Sequence, residues 1–177
     1  MDEAIEVLGD LGERCHRKRP ANDNPAKALA LSLRGKIPVV YGGLGIGGVA
    51  AYRFKCDLNE YGKSPAFCNV APELDHNEIV GWKLLAELTA PHFVNVVIVD
   101  PLEDSRLALR HSIRRRLIEN ALPECREVAA EGLSSLARLF SVIMVTQLSA
   151  IYLALAYEVD PGPVQVITKM KEQLAGQ

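Results

Sequence analysis

The stretch IPVVYGGLGIGG, residues 37–48, decides the fold class, because an apolar strand in it runs directly into a glycine-rich loop. A short apolar run that ends in turn residues is typical of a buried strand. A helix is predicted next, from about Val49 to Tyr61. Further strands are predicted at residues 64–71 and 93–100, with a weaker one at 125–132. Alternating strands and helices, joined by right-handed crossovers, predict an α/β domain with a doubly wound, mainly parallel sheet.

Helices are predicted for most of the remaining chain. Asn24 and Pro25 form a helix-start signal, and Gly35 ends that helix. The run 139–157 carries no charge and is long enough to span a bilayer, but polar residues interrupt it. We therefore predict a central buried helix of an α/β domain there, and no membrane partner. Further helices are predicted at residues 2–16, 105–122 and 164–174.

Length and composition indicate one ordinary globular domain. The 177 residues are 49% hydrophobic and 24% charged, and the formal net charge is −2, which does not favour nucleic acid as a partner. The four cysteines are widely separated, which favours reduced thiols and a cytoplasmic protein. The N-terminus is acidic and amphipathic, unlike a signal peptide. We assign residues 1–23 to an N-terminal helix and linker and residues 24–177 to the domain.

The glycine loop matches the GxGxxG pattern of dinucleotide sites at Gly43, Gly45 and Gly48. Such a site also needs an acidic residue at the end of the second strand, where this chain has Asn69. The favoured interpretation is that the glycines allow a tight turn and close helix packing. A sugar or phosphate at the following helix N-terminus is compatible with it.

Residues 58–82 contain an unusual density of side chains that can transfer protons. The loop after the second strand is expected at the carboxyl edge of the sheet, where ligands bind in this fold class. Glu73, His76 and Glu78 have a spacing that suits metal ligands, although the segment reads as loop before helix. Alternatively, Asp75 caps a helix that begins at His76, with Glu78 completing a capping box.

Glu60 and His76 form the acid/base candidate, provided that the helix ending near Tyr61 folds back beside the loop that contains His76. A separate cationic cluster lies in the predicted helix 105–122. We interpret it as a solvated face opposite a buried side formed by Leu107, Ile113, Leu117 and Ile118. The members of the cluster are Arg110, Arg114, Arg115 and Arg116.

Three stretches resemble the C-terminal half of the bifunctional phosphoglucose/phosphomannose isomerases. They are NPAKALALSLRGKIPVVYGG (24–43), AAYRFKCDLNEYGKSPAF (50–67) and APELDHNEIVGW (71–82), and the resemblance runs from about Asn24 to Leu174. It implies a sugar isomerase (SIS) domain of flavodoxin-like type, a three-layer αβα sandwich. It also implies that glucose 6-phosphate and mannose 6-phosphate are interconverted with fructose 6-phosphate through a cis-enediol, without metal or cofactor.

The resemblance also implies roles for individual residues. Glu60 matches the base that moves a proton between C1 and C2. His76 matches a histidine that assists ring opening and reaches the site from the neighbouring subunit. Lys171 matches a lysine linked to ring opening, with Lys169 as a rival. The candidate substrate-binding residues are Gly42, Gly43, Arg53 and Asn77.

The chain departs from that family in two respects. The family's first SIS domain, with its Ser/Thr-rich phosphate loop, has no counterpart here, so we expect a C-terminal half that works with an N-terminal SIS partner. Tyr61 and Gly62 follow the LNE motif where the family has Asn-Ala. A homodimer is expected, because the predicted helices 2–16 and 139–157 offer more apolar surface than one small sheet can cover. The alternative is a non-catalytic phosphosugar-binding or scaffolding module.

Overall fold

The computed structural model describes residues 1–176, and Gln177, the last residue of the predicted domain, lies outside them. Four parallel strands form one sheet in the order β2-β1-β3-β4. They are β1 (Ile37–Gly43), β2 (Phe67–Ala71), β3 (Phe93–Val99) and β4 (Cys125–Ala129). The first strand, β1, lies inside the sheet and β2 lies at the edge beside it. The chain then crosses to the other side of β1, where β3 and β4 extend the sheet to the opposite edge, so the sheet is doubly wound as predicted.

Helices cover both faces of the sheet and make the fold a three-layer αβα sandwich. They are α1 (Asp2–Arg14), α2 (Pro25–Leu33), α3 (Ile46–Glu60), α4 (Glu78–Gly81), α5 (Ala86–His92), α6 (Ser105–Leu117), α7 (Ser135–Ala156) and α8 (Gln165–Ala175). The helices α1, α2 and α3 pack against α7 on one face. The residues around α6 and α4 cover the other face. The predicted fold class is confirmed.

Side chains of β1 alternate between two hydrophobic cores. Val40 points into the main core, which lies under α2, α3 and α7. Val39 and Tyr41 point into a smaller core with Leu74 and Ile118. Because successive strand residues face opposite sides of a sheet, the apolar run IPVVY fills both cores at once.

The long helix α7 is the one described helix that could span a bilayer by length and composition. Here it packs against three other helices, and Val142 and Leu153 are fully buried. Leu11 of α1 is fully buried in the same core. The contact between α1 and α7 covers part of the apolar surface from which a homodimer was expected.

Three details of the helices differ from prediction. The single helix expected from His76 onward is a 3-10 turn over Glu73–His76 followed by α4 and α5. The helix after the glycine loop begins at Ile46, three residues before the predicted start. The buried side predicted for α6 is also partly wrong, because Leu117 is 69% exposed.

Candidate functional site

Three loops meet at the carboxyl edge, which is the edge of the sheet where β1, β2 and β3 end. They follow Gly43, Ala71 and Val99. The first two are joined directly, since the Leu44 amide donates a hydrogen bond to the Ala71 carbonyl at 3.0 Å. The predicted convergence of these loops is confirmed.

The glycines of the first loop allow close packing. A Cβ on Gly42 would lie 2.1 Å from the Gly47 carbonyl oxygen, and one on Gly43 would lie 2.2 Å from Glu103 Oε2. Gly45 has a φ of +103°, which only glycine adopts easily. Gly42 and Gly43 are both buried, so their backbone contacts support the packing interpretation rather than substrate contact.

Glu60 lies at the opposite, amino edge of the sheet. Helix α3 has 15 residues, so it carries the chain about 22 Å back from the carboxyl edge. Its last residue is Glu60, and the next strand, β2, starts at Phe67. His76, in contrast, follows the end of β2. The condition that α3 folds back to place Glu60 beside His76 is therefore not met within one chain, because the helix runs antiparallel to the strands.

The Glu60 side chain is exposed, and the turn that follows it, residues 62–65, lines a cleft of about 520 Å³. The cleft is lined by Lys63, His92 and the first residue of β1, Ile37. Lys63 Nζ donates to the Glu60 carbonyl at 2.8 Å and to the Pro163 carbonyl at 2.6 Å. The segment that leads into α8 is thus fixed beside the end of α3.

Helix α8 carries the candidate lysines, and none of its residues is buried within the described chain. Its apolar side chains Val166, Ile167, Met170 and Leu174 are exposed. Lys169 and Lys171 are both exposed, so both stay candidates. Because α8 begins close to Pro163, it leaves the domain at the same edge as Glu60.

Arg53 and the turn after Glu60 are shaped by Asp57. Arg53 Nε donates to both carboxylate oxygens of Asp57, at 3.0 and 3.1 Å. Asp57 is buried, and burial raises its pKa despite the hydrogen bond from Arg53. The Gly62 amide donates to the Asp57 carbonyl, and a Cβ on Gly62 would lie 2.7 Å from the Leu58 carbonyl oxygen. The departure from the family pattern at Gly62 therefore fits a tight turn.

The His76 loop, residues 73–78, projects from the carboxyl edge. His76 and Asn77 are exposed, whereas Leu74 is fully buried. Asn77 caps α4 by accepting a hydrogen bond from the Glu78 amide at 2.6 Å, and its own amide nitrogen donates to Glu73 at 3.1 Å. Asn77, not Asp75, is thus the cap, and the predicted capping box is wrong.

Asp75 instead forms a tertiary ion pair. Its Oδ1 lies 2.7 Å from the guanidinium of Arg114, and its Oδ2 lies 3.2 Å from Arg110. The Arg114 side chain is only 3% exposed, and its guanidinium lies over the Tyr41 ring at 5.3 Å. The prediction that Arg114 belongs to a solvated cationic face is wrong, because Asp75 and Tyr41 provide a buried site for its charge.

Glu78 is fixed to the sheet on the other side of the loop. Its two carboxylate oxygens accept from the Tyr41 hydroxyl and from Asn69 Nδ2, each at 2.6 Å. Trp82 Nε1 donates to the same hydroxyl at 2.9 Å. Burial, followed by the hydrogen bond to Glu78, raises the pKa of Tyr41. Glu73, His76 and Glu78 do not converge as metal ligands, and no three such side chains do so among the described residues.

A second polar pair, Glu103 and His111, adjoins Arg114. Arg114 donates to His111 Nδ1 at 2.6 Å, so the ring proton is on Nε2, which lies 3.1 and 3.4 Å from the two oxygens of Glu103. Burial, with the charge of Arg114, lowers the pKa of His111 to about 4. Burial, with the charge of Asp100, raises the pKa of Glu103. Glu103 lies just before α6, and His111 and Arg114 lie one turn apart within it, so this network is local in sequence.

Comparison with known proteins gives consistent similarities. A family model described as the bacterial phospho-glucose isomerase C-terminal SIS domain matches residues 22–174. A bifunctional phosphoglucose/phosphomannose isomerase from Caldicellulosiruptor bescii is 38% identical over 99% of this chain and 51% of its own length. One from Aquifex aeolicus is 32% identical over 96% of this chain and 52% of its own. The chain thus spans about half the length of the curated relatives it matches.

A solved structure supports the same comparison. The crystal structure of a glucose-6-phosphate isomerase-like protein from Thermus thermophilus aligns with a TM-score of 0.76 at 25% sequence identity. The alignment covers 91% of this chain and 53% of that one.

Proposed function

The chain belongs to the family of bacterial phospho-glucose isomerase C-terminal SIS domains, and we propose that it forms one half of a hexose 6-phosphate isomerase. The proposed reaction interconverts glucose 6-phosphate or mannose 6-phosphate with fructose 6-phosphate through a cis-enediol. The observation that carries the proposal is the family match over residues 22–174, a range that contains Glu60 and His76. An N-terminal SIS domain would supply the sugar phosphate site.

Glu60 is the proposed base. In the direction from aldose to ketose it takes the proton from C2, the C–H electron pair becomes the C1–C2 double bond, and the carbonyl pair moves onto O1. The proton of the C2 hydroxyl is transferred to O1, so that C2 becomes the carbonyl carbon when C1 is protonated. The same carboxylic acid then returns the proton to C1. A carbon acid next to a carbonyl loses its proton slowly in water, so a positioned carboxylate and stabilisation of the enediolate oxygen provide the rate. The Glu60 side chain is exposed, which leaves it accessible to a substrate held by a partner domain.

His76 is the proposed acid/base group for ring opening, supplied by a second copy of the chain. Glu60 and His76 lie at opposite edges of the sheet, so one copy cannot place both beside one hexose. In a two-fold symmetric dimer, each copy would give Glu60 to one site and His76 to the other. The exposed apolar side chains of α8 provide surface for such an assembly. Lys171 on α8 is the proposed third contributor, and cytoplasmic location is part of the proposal.

The test is to mix the purified chain with the separately expressed amino-terminal half of the Caldicellulosiruptor bescii relative. Formation of fructose 6-phosphate from either aldose phosphate is then followed. We expect turnover that Glu60→Gln abolishes and that Glu119→Gln, a substitution at an exposed control position, leaves unchanged. Turnover that survives Glu60→Gln would rule out the assigned base.

A non-catalytic module would give a different result in the same experiment. Calorimetry with fructose 6-phosphate or 5-phosphoarabinonate would then detect binding to the chain alone, while every mixture lacked turnover. Weak binding alone and turnover in the mixture support the isomerase half.

A further inference from the structure

Two part-buried polar anchors flank the exposed His76 on either side of its loop. On one side, Asp75 is bound by Arg114 at 2.7 Å. On the other, Glu78 is bound by Tyr41 and Asn69 at 2.6 Å each. Only His76 and Asn77 lie between the two anchors, and both are exposed.

The anchors connect the loop to three different elements. Arg114 belongs to α6, Tyr41 to β1 and Asn69 to β2. Arg114 also lies over the Tyr41 ring, so the two anchors contact each other beneath the loop. The exposed residues are therefore fixed to the sheet and to α6 at once.

Stability alone is a poor reason for this arrangement. A buried ion pair often contributes no more to folding than apolar residues of the same volume, because both charges lose their hydration. The fully buried Leu74 already attaches the loop to the smaller core. Hydrogen bonds to charged groups instead fix the orientation of the loop, because each carboxylate oxygen is held by a partner at a defined position.

We propose that Asp75 and Glu78, through Arg114 and Tyr41, are positioning residues that fix the His76 imidazole for proton transfer in a neighbouring subunit's site. The inference rests on the proposed function, because it assumes that His76 acts on the substrate. If the loop that carries a catalytic group were unrestrained, turnover would fall, because a displacement of about 1 Å can lower a rate on the order of 100-fold.

The kinetic test is a double-mutant cycle in the active mixture of this chain with an N-terminal SIS domain. Asp75→Asn keeps the side-chain shape but removes the charge that binds Arg114. Glu78→Gln puts an amide donor against Tyr41 or Asn69, both of which donate. We expect each to lower kcat by about tenfold or more while KM changes less than about twofold.

The cycle separates positioning from a general structural effect. In a His76→Ala background, Asp75→Asn and Glu78→Gln should lower kcat no further, because their effect passes through the imidazole. Glu119→Gln serves as the matched control and should change neither background. If the anchor variants lower kcat equally with and without His76, the positioning role is overturned.

An NMR measurement on the chain alone tests the positioning without the reaction. The 15N heteronuclear NOE of the His76 and Asn77 amides should be as high as in β1 and should fall in Asp75→Asn and Glu78→Gln, but not in Glu119→Gln. An NOE already low in the wild type, or unchanged in the variants, overturns the inference. If no mixture shows turnover, or His76→Ala leaves kcat unchanged, the proposed function has failed, and the NOE alone decides whether the anchors fix the loop.

Discussion

Substituting Gly42 by alanine should strongly destabilise the domain. A Cβ at this position would lie 2.1 Å from the oxygen, 2.3 Å from the carbon of the Gly47 carbonyl and 2.8 Å from the Gly48 amide nitrogen. Favourable contacts between carbon atoms need about 3.5–4.0 Å, so β1 and the start of α3 would have to separate by more than about 1 Å. All three atoms belong to the backbone, and no side-chain rotation can relieve the contact.

The expected cost follows from two opposing effects. Overpacking in a core costs about 1–3 kcal/mol, and a backbone contact belongs at the upper end of that range. Alanine also restricts the unfolded chain, which returns roughly 0.4–1 kcal/mol where the native conformation permits it. We expect a net loss of about 2–3 kcal/mol in the free energy of unfolding. The corresponding fall in Tm is about 5–10 °C for a domain of this size.

The assay is urea unfolding followed by far-UV circular dichroism at a fixed protein concentration. Gly9→Ala is the matched control, because a Cβ there meets nothing within 4 Å and Gly9 lies inside α1. That variant should be more stable than wild type by about 0.5–1 kcal/mol. If Gly42→Ala unfolds within about 0.5 kcal/mol of wild type, the packing role of Gly42 is refuted.

Three further predictions concern the buried polar groups and the terminal helix. His111 has a pKa of about 4 in the folded chain against an ordinary 6.5, so the unfolded chain binds more protons between these pH values. The free energy of unfolding should therefore fall as the pH is lowered from about 7 to about 4. The urea midpoint should fall less over the same pH range in His111→Gln than in the wild type. Arg138→Met leaves Asp100, its partner at 2.8 Å, buried without that counter-charge. It should cost about 3–5 kcal/mol by the same assay, and adding Asp100→Asn should recover part of the loss. Lys171→Met should lower turnover in the active mixture more than Lys169→Met, and the reverse order would transfer the proposed role to Lys169.

The strands and the long helices could be predicted from the sequence because their signals are local. Apolar runs with turn residues at their ends identify β1 and β3, and the Asn24–Pro25 pair identifies the start of α2. The Asn24 side chain does accept a hydrogen bond from the Lys27 amide at 3.0 Å. These features depend on residues within a few positions of each other.

The site could not be predicted to the same extent, because its contacts link distant residues. Asp75 and Glu78 have the spacing of helix-start residues, but each carboxylate is bound instead by side chains from other elements. Arg114 is adjacent in sequence to the exposed Arg115, and only the fold distinguishes them. The separation of Glu60 from His76 likewise depends on the direction of α3 relative to the sheet.

Subunit complementation tests most directly whether Glu60 and His76 form one site across two copies of the chain. Glu60→Gln chains, which are inactive with the N-terminal SIS domain, and His76→Ala chains, whose activity with it is strongly reduced, are mixed in equal amounts, unfolded and refolded together. Half of the resulting dimers would pair the two variants, and each of these would contain one intact site, so about a quarter of wild-type activity should return for a two-fold dimer. Absence of any recovery, with dimers present by sedimentation, would contradict the shared site.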